Sequence, residues 1–194
     1  MQILSFPEAD TPASLRAQVL YLQHQAWPPA EPSPGPGTAL THDPALHPRS
    51  MLLVDDGGTV VAALDVLSKP LVHAGRRYRA AGLSTVVTRP TARGRGHGRR
   101  LVAAARTAMA ESGLDLGVFT CDRPLEPFYR SAGWQLLPGT HLIGGTPQCP
   151  LPSDSPPFDK VTMADFFSAG ARQHRAAFRQ ARLALYPGTI DKLW

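Results

Sequence analysis

Cysteine is nearly absent from this chain. Its 194 residues hold two, Cys121 and Cys149, with no CxxC spacing and no histidine pairing beside either. That is too little for a disulfide framework or a zinc site, so both are read as free thiols and no metal is expected. Long apolar runs are missing as well. No stretch approaches the ~20 residues of a membrane span, and the N-terminus lacks a basic segment followed by an apolar core. A cytoplasmic protein without a membrane partner is therefore expected. Lysine is scarce too: three against seventeen arginines, within a net charge of +5. A basic balance suits an anionic cofactor as well as nucleic acid, so total charge separates neither.

Proline, by contrast, is plentiful, with 20 residues. The prolines cluster at 28–36 and 146–157, which predicts irregular segments over 27–48 and 138–157 around a compact middle. The length suits one well-buried domain, 1–194, and is short for two. A long loop such as 27–48 either flanks a substrate site or is a mobile surface element. No internal repeat is present.

The order of elements is legible from patterning. Residues 1–6 (MQILSF) read as a strand, and Thr11 or Ser14 as the cap of a helix carrying Leu15, Val19, Leu20 and Leu22 that ends before Pro28. Met51–Val54, the turn Asp55-Asp56-Gly57-Gly58 and Thr59–Leu67 predict a hairpin, because aspartate and glycine supply positive φ angles. Arg77–Ala81 with Leu83–Thr88 adds a third strand to this antiparallel meander. Leu101, Val102, Ala105 and Met109 have the spacing of an amphipathic helix, which Gly113 stops. Leu114–Thr120 follows as a strand, so strand, helix and strand form a parallel crossover. Pro124–Ala132 predicts a short helix, Trp134–Leu137 and Val161–Phe166 predict strands, and Ala169–Leu185 a final helix. On that helix Arg172, Arg175, Arg179 and Arg182 read as a solvated face.

The chemistry concentrates between Gly82 and Leu101, GLSTVVTRPTARGRGHGRRL. A β-branched run reaches Thr88, and Pro90 ends any ladder because it has no N–H to donate. Gly94, Gly96 and Gly98 then alternate with Arg93, Arg95, His97 and Arg99 directly before an uncapped helix. Uncovered backbone amides at the positive end of a helix suit a phosphate or pyrophosphate. The alternative is a solvated basic turn or an RNA-binding patch. A Rossmann loop needs G-x-G-x-x-G on the first βα turn, and these glycines fall mid-chain with another spacing. The lysine of a Walker A loop is absent.

Arg93, Gly96 and Gly98 fit the acyl-CoA signature of the GNAT acetyltransferases (Arg or Gln, two residues, Gly, one residue, Gly or Ala). Phe128-Tyr129-Arg130-Ser131-Ala132-Gly133-Trp134 resembles the "FY…GF" segment of the same superfamily. The resemblance covers residues 50–140 and implies an α/β fold: a central mixed, mostly antiparallel sheet flanked by helices. It also implies acetyl-CoA as co-substrate, its diphosphate held by residues 93–99. Val86, Val87 and Thr88 would lie on a splayed strand whose backbone pairs with the pantetheine arm, and Tyr129 would protonate the leaving thiolate. GRRYRAAGLSTVVTRP, LGVFTCDRPLEPFYRSAGW and the terminal DKLW are further similar to aminoglycoside 2'-N-acetyltransferases. That likeness places Asp191 and Trp194 against a cationic sugar.

The same relatives carry glutamate on the signature strand where this chain has Ser84. An amine of pKa ~10 is only about 0.1% neutral at pH 7, so its proton needs an acceptor. Ser84 can position a water for that transfer but cannot take the proton itself. Asp122, Glu126, His97 and the terminal carboxylate of Trp194 stay open as bases. The implied reaction is acetyl transfer to the primary amine of a small molecule, an amino sugar first. A non-catalytic acyl-CoA sensor or a basic nucleic-acid module is the rival, nucleic acid being the less expected partner, and a homodimer is left open.

Overall fold

The computed structural model of the chain describes residues 1–28, 40–156, 158–186, 188, 190 and 194. The N-terminal strand β1 (Gln2–Pro7) leads through a single 3-10 turn to helix α1 (Ala13–Ala26). The N-cap of α1 is Pro12 and no side chain caps it. Neither Thr11 nor Ser14 therefore plays the predicted role: Pro12 already sets the entry φ without an N–H to satisfy. Val19 and Leu22 lie on the buried face of α1.

Strands β2 (Arg49–Val54), β3 (Val60–His73) and β4 (Arg76–Thr88) form the antiparallel meander. Its first turn closes as the sequence predicts. The Asp55 carboxylate accepts from the amides of Gly57 (3.0 Å) and Thr59 (2.8 Å), and Gly58 takes φ 79°. Helix α2 (His97–Glu111) and strand β5 (Leu116–Asp122) complete the crossover, with β5 parallel to β4. After helix α3 (Glu126–Ser131) come β6 (Gln135–Leu136), β7 (His141–Gly145), β8 (Pro150–Pro152) and β9 (Lys160–Phe166). The seven-stranded sheet runs β1-β2-β3-β4-β5-β9-β6, and the β4–β5 pair is its parallel one. This is the mixed, mostly antiparallel α/β architecture expected.

Two expectations fail in the C-terminal third. Residues 138–157 are not irregular throughout: β7 and β8 lie there, in a second, three-stranded sheet in which β7 is central. Prolines 150 and 152 mask β8 in the sequence, yet an edge strand tolerates the missing donors. Nor do residues 169–185 form one helix. They divide into α4 (Ala169–Gln173), a 3-10 turn (Arg175–Phe178) and β10 (Arg182–Ala184). Phe178 anchors the break, its ring packing on His73, Tyr78 and Phe166 at 4.7–5.2 Å, and β10 then pairs with β7 in parallel. Tertiary burial thus overrides helical spacing. Within 27–48, residues 29–39 lie outside the described residues, while Pro44–Leu46 form a 3-10 turn with Leu46 buried.

One large apolar cluster joins α2, α3 and both sheets, from Leu64 and Val102 through Phe119 and Trp134 to Leu142 and Phe178. A smaller one lies between α1 and the meander, holding Val19, Leu22, Leu52, Val54 and Val87. The working part of the sheet is its centre, where β4 and β5 lie between these layers.

Candidate active site

Strands β4 and β5 begin as neighbours and then part. Their ladder consists of Ala80↔Leu116 and Ala81↔Gly117, whereas β4 continues to Thr88 and β5 to Asp122. On its other side β5 stays paired with β9 over its whole length. The two strands therefore enclose a wedge whose β4 wall holds Gly82 to Thr88, including Ser84, Val86 and Val87. Beyond Ala81 and Gly117 no ladder pair joins β4 to β5 among the described residues.

The glycine loop lies at the open end of the wedge. Past Thr88 the chain makes a 3-10 turn (Pro90–Ala92), and Gly94 and Gly96 take φ 75° and 78°, a region natural to glycine. Gly96 is the N-cap of α2 and offers no side chain, so the first amides of the helix are uncovered. Gly98 is needed for a different reason. A Cβ there would lie 2.7 Å from the Thr88 hydroxyl and 3.4 Å from the Phe128 ring. The Arg93 guanidinium donates through Nε to the Thr88 carbonyl (3.1 Å), which fixes the loop to the end of β4. Arg95, Arg99 and Arg100 are exposed, and His97 is half-buried at the first helical position. Residues 93–99 thus come together as one basic cradle of backbone amides.

Tyr129 closes the β5 side. It is buried at 6% exposure on α3, with its ring edge-on to Phe119 of β5 (5.0 Å) and to Phe128 (4.9 Å). Burial raises its phenol above the ordinary tyrosine range, with smaller contributions from Cys121 and Asp122. The group therefore keeps its proton throughout the neutral range. Cys121, buried on β5, is pushed up to about 12, chiefly by burial and then by Asp122 and Glu126. It is a neutral packing residue, not a nucleophile. Of the candidate bases, Asp122 accepts from Lys160 (2.7 Å) and Glu126 from Arg130 (3.4 Å), so each already has a cationic partner.

The narrow end of the wedge holds Trp194, one of the two residues expected at the acceptor site. The Trp194 indole lies against Gly82, where a Cβ would fall 2.7 Å from Cδ2. The Trp194 carbonyl accepts from Thr120 Oγ1 of β5 (3.3 Å). The residue is 93% buried (7% exposed), and its Nε1 has no hydrogen-bond partner among the described residues. Upstream, the Lys69 ammonium donates to the Leu185 carbonyl, and burial lowers its pKa. The other proposed acceptor residue, Asp191, lies outside the described residues.

Sequence reasoning missed a polar cluster behind β4. Asp65, 2% exposed, accepts from Ser50 Oγ (2.5 Å), Thr85 Oγ1 (2.6 Å) and Gln23 Nε2 (3.4 Å), and His42 Nε2 lies 3.2 Å away. Asp65 interrupts an otherwise apolar strand, VVAALDVL, and that interruption was the available signal.

This architecture has many counterparts. The acetyltransferase (GNAT) domain family matches residues 12–137. The chain belongs to that family. An aminoglycoside 6'-N-acetyltransferase solved with coenzyme A has a TM-score of 0.58 at 14% identity, over 87% of this chain and 98% of that one. Escherichia coli ElaA has 0.56 at 15% identity, over 84% and 99%. A probable N-acyltransferase from Enterococcus faecalis has 0.53 at 18% identity, over 70% of this chain but 32% of that protein, so the chain spans about a third of it. At these identities the structural likeness concerns the fold. No curated protein matches the chain in sequence. Family membership makes it an acyl-CoA-dependent N-acyltransferase, with acyl transfer from coenzyme A to an amine as its chemistry.

Proposed function

We propose that this GNAT domain transfers the acetyl group of acetyl-CoA to a primary amine of a small molecule, an amino sugar being the first candidate. The observation that carries the reading is the wedge: β4 and β5 part beyond Ala81 and Gly117, and the glycine loop lies at its open end. An amide chain such as pantetheine pairs with exposed strand backbone as an added strand does. The diphosphate then falls on the uncovered amides of α2, with Arg93, Arg95 and Arg99 beside it.

The attack is direct. Holding amine and thioester in one cleft replaces a bimolecular encounter, and a backbone amide of β4 meets the charge developing on the acyl oxygen. The C–N bond forms as the C–S bond breaks, and Tyr129 gives its proton to the departing thiolate. Burial keeps the phenol protonated at neutral pH but also makes it a weaker acid, so the transfer relies on the thiolate forming in the same desolvated site, where its basicity is raised as well. Ser84, half-buried on β4, positions a water that carries the amine proton away.

For an amino sugar the supporting feature is Trp194 at the narrow end of the wedge. An indole face attracts an ammonium group, and Trp194, packed against Gly82 and 7% exposed, has to turn out of the wedge to present it. The test is acetyl-CoA binding by calorimetry, followed by thiol release across a panel of aminoglycosides, simple amines and peptides. Release with the sugars is expected. Binding without release across the panel would make the domain an acyl-CoA sensor, and release with peptides alone would remove the sugar.

A further inference from the structure

Strand β4 carries a conformational anomaly at the point where it leaves β5. Between the pairs Ala63↔Val87 and Asp65↔Ser84, one residue of β3, Leu64, stands opposite two of β4, Thr85 and Val86. This is a β-bulge, and it removes one peptide group of β4 from the β3 ladder. Thr85 has φ 50°. A β-branched residue in the left-handed region is costly, by about 1–2 kcal/mol for an L-residue, and persists where its surroundings hold it. No glycine is used here, although the loop nearby uses glycine for the same φ.

What holds Thr85 is its own hydroxyl, which donates to Asp65 Oδ2 at 2.6 Å. Asp65 is in turn immobilised from three directions: Ser50 of β2 (2.5 Å), His42 (3.2 Å) and Gln23 of α1 (3.4 Å). The segment bearing His42 is itself tied down, because the buried Glu8 carboxylate accepts from the amides of Thr41 (2.5 Å) and His42 (3.3 Å). A cavity of about 10 Å³ beside the cluster has room for a single water, so the cluster is not a substrate pocket.

We infer that Asp65 is a positioning residue whose carboxylate holds the Thr85 bulge of β4 left-handed, so that the released peptide group faces the wedge and meets the acyl oxygen. The inference rests on the proposed acyl-transfer site and deepens it by naming the side chain on which the geometry of that backbone donor depends. Asp65 touches no reacting atom.

The test uses the full chain and compares its affinities for acetyl-CoA and for coenzyme A by calorimetry, since the peptide group concerns the acetyl oxygen alone. One hydrogen bond predicts tighter binding of acetyl-CoA by about 2- to 10-fold in the unaltered protein. Asp65→Ala and Thr85→Val should abolish that preference while coenzyme A affinity stays within about twofold. Thr85→Ser, which keeps the hydroxyl, should retain it. Glycine adopts a positive φ without help, so Asp65→Ala combined with Thr85→Gly should recover the preference, which a packing role for Asp65 does not predict. Should Asp65→Ala fail to fold, Thr85→Val against Thr85→Gly carries the same contrast. An unchanged preference in Asp65→Ala or Thr85→Val, no recovery in the double variant, or equal affinities in the unaltered protein would overturn the inference alone. No coenzyme A binding by the unaltered protein would instead overturn the acyl-transfer site, and the inference with it.

Discussion

Strands β4 and β5 are parallel neighbours built from similar apolar residues, and they differ in almost everything that bears on chemistry. β5 is regular, paired with β9 from Leu116 to Asp122, and backed by Phe119, Tyr129 and Trp134 in edge-on contact. β4 is bulged at Thr85, tied from behind to Asp65, has no Cβ at Gly82, and ends in the glycine loop. A cleft between strands needs one rigid wall and one that departs from it. In the proposed mechanism the β5 side supplies the proton donor, and the β4 side supplies the backbone that binds. Changes on the β5 side should therefore reach turnover, and changes on the β4 side should reach affinity for acetyl-CoA.

The largest expected effect lies on the β5 side. Tyr129→Phe should lower kcat by about 10² or more, the usual contribution of a general acid, with acetyl-CoA affinity intact. Steady-state kinetics beside calorimetry reads the split, and an unchanged kcat would remove Tyr129 from the mechanism. Next comes Gly98→Val on the β4 side. Its Cβ meets the Thr88 hydroxyl, and overpacking of about 1–3 kcal/mol should weaken acetyl-CoA binding by roughly 5- to 150-fold. Loss of turnover with unaltered affinity would break the division between the walls.

A smaller effect is expected at the narrow end. Gly82→Ala places a methyl group against the Trp194 indole and displaces it. If Trp194 lines the acceptor site, the KM for the amine rises by about 10-fold, on the scale of one lost aromatic–ammonium contact, while the KM for acetyl-CoA holds. The reverse pattern would assign Trp194 to the thioester side of the wedge.

The smallest effect concerns pH. Cys121 and Tyr129 are both raised by burial, so in the fold they keep their protons where the unfolded chain releases them, near pH 8.5 and 10. The stability that these groups hold below pH 8.5 is then lost as pH rises toward their folded values, by up to about 1.4 kcal/mol per pH unit for each group. Denaturant melts of Cys121→Ala between pH 8 and 10 should show a shallower decline than the unaltered protein. Equal slopes would mean that the Cys121 thiol ionises in the fold as freely as in the unfolded chain.

The loop and the meander were legible because their signals are local. Alternating glycines, Pro90 and the Asp55–Gly58 turn impose backbone angles on themselves whatever lies around them. The C-terminal third was not legible for the opposite reason. Phe178 breaks a helical pattern to reach His73, Tyr78 and Phe166, a hundred residues or more away in two of the three contacts. Strand β8 exists because β7 offers an edge that tolerates its prolines. The Asp65 cluster escaped notice because its members come from α1, β2, β3, β4 and the segment before β2.

By itself the sequence determined the order of strands and helices through residue 137, the glycine-arginine turn of residues 93–99 before an uncapped helix and, through its motifs, the family. Those features follow from φ restrictions, hydrophobic period and uncovered amides, all properties of neighbouring residues. Tertiary structure alone decided where β4 leaves β5, that Trp194 occupies the narrow end of the wedge, and that Asp65 stands behind the bulge. Each of these depends on contacts between residues distant in sequence, and no local preference encodes which distant group will arrive.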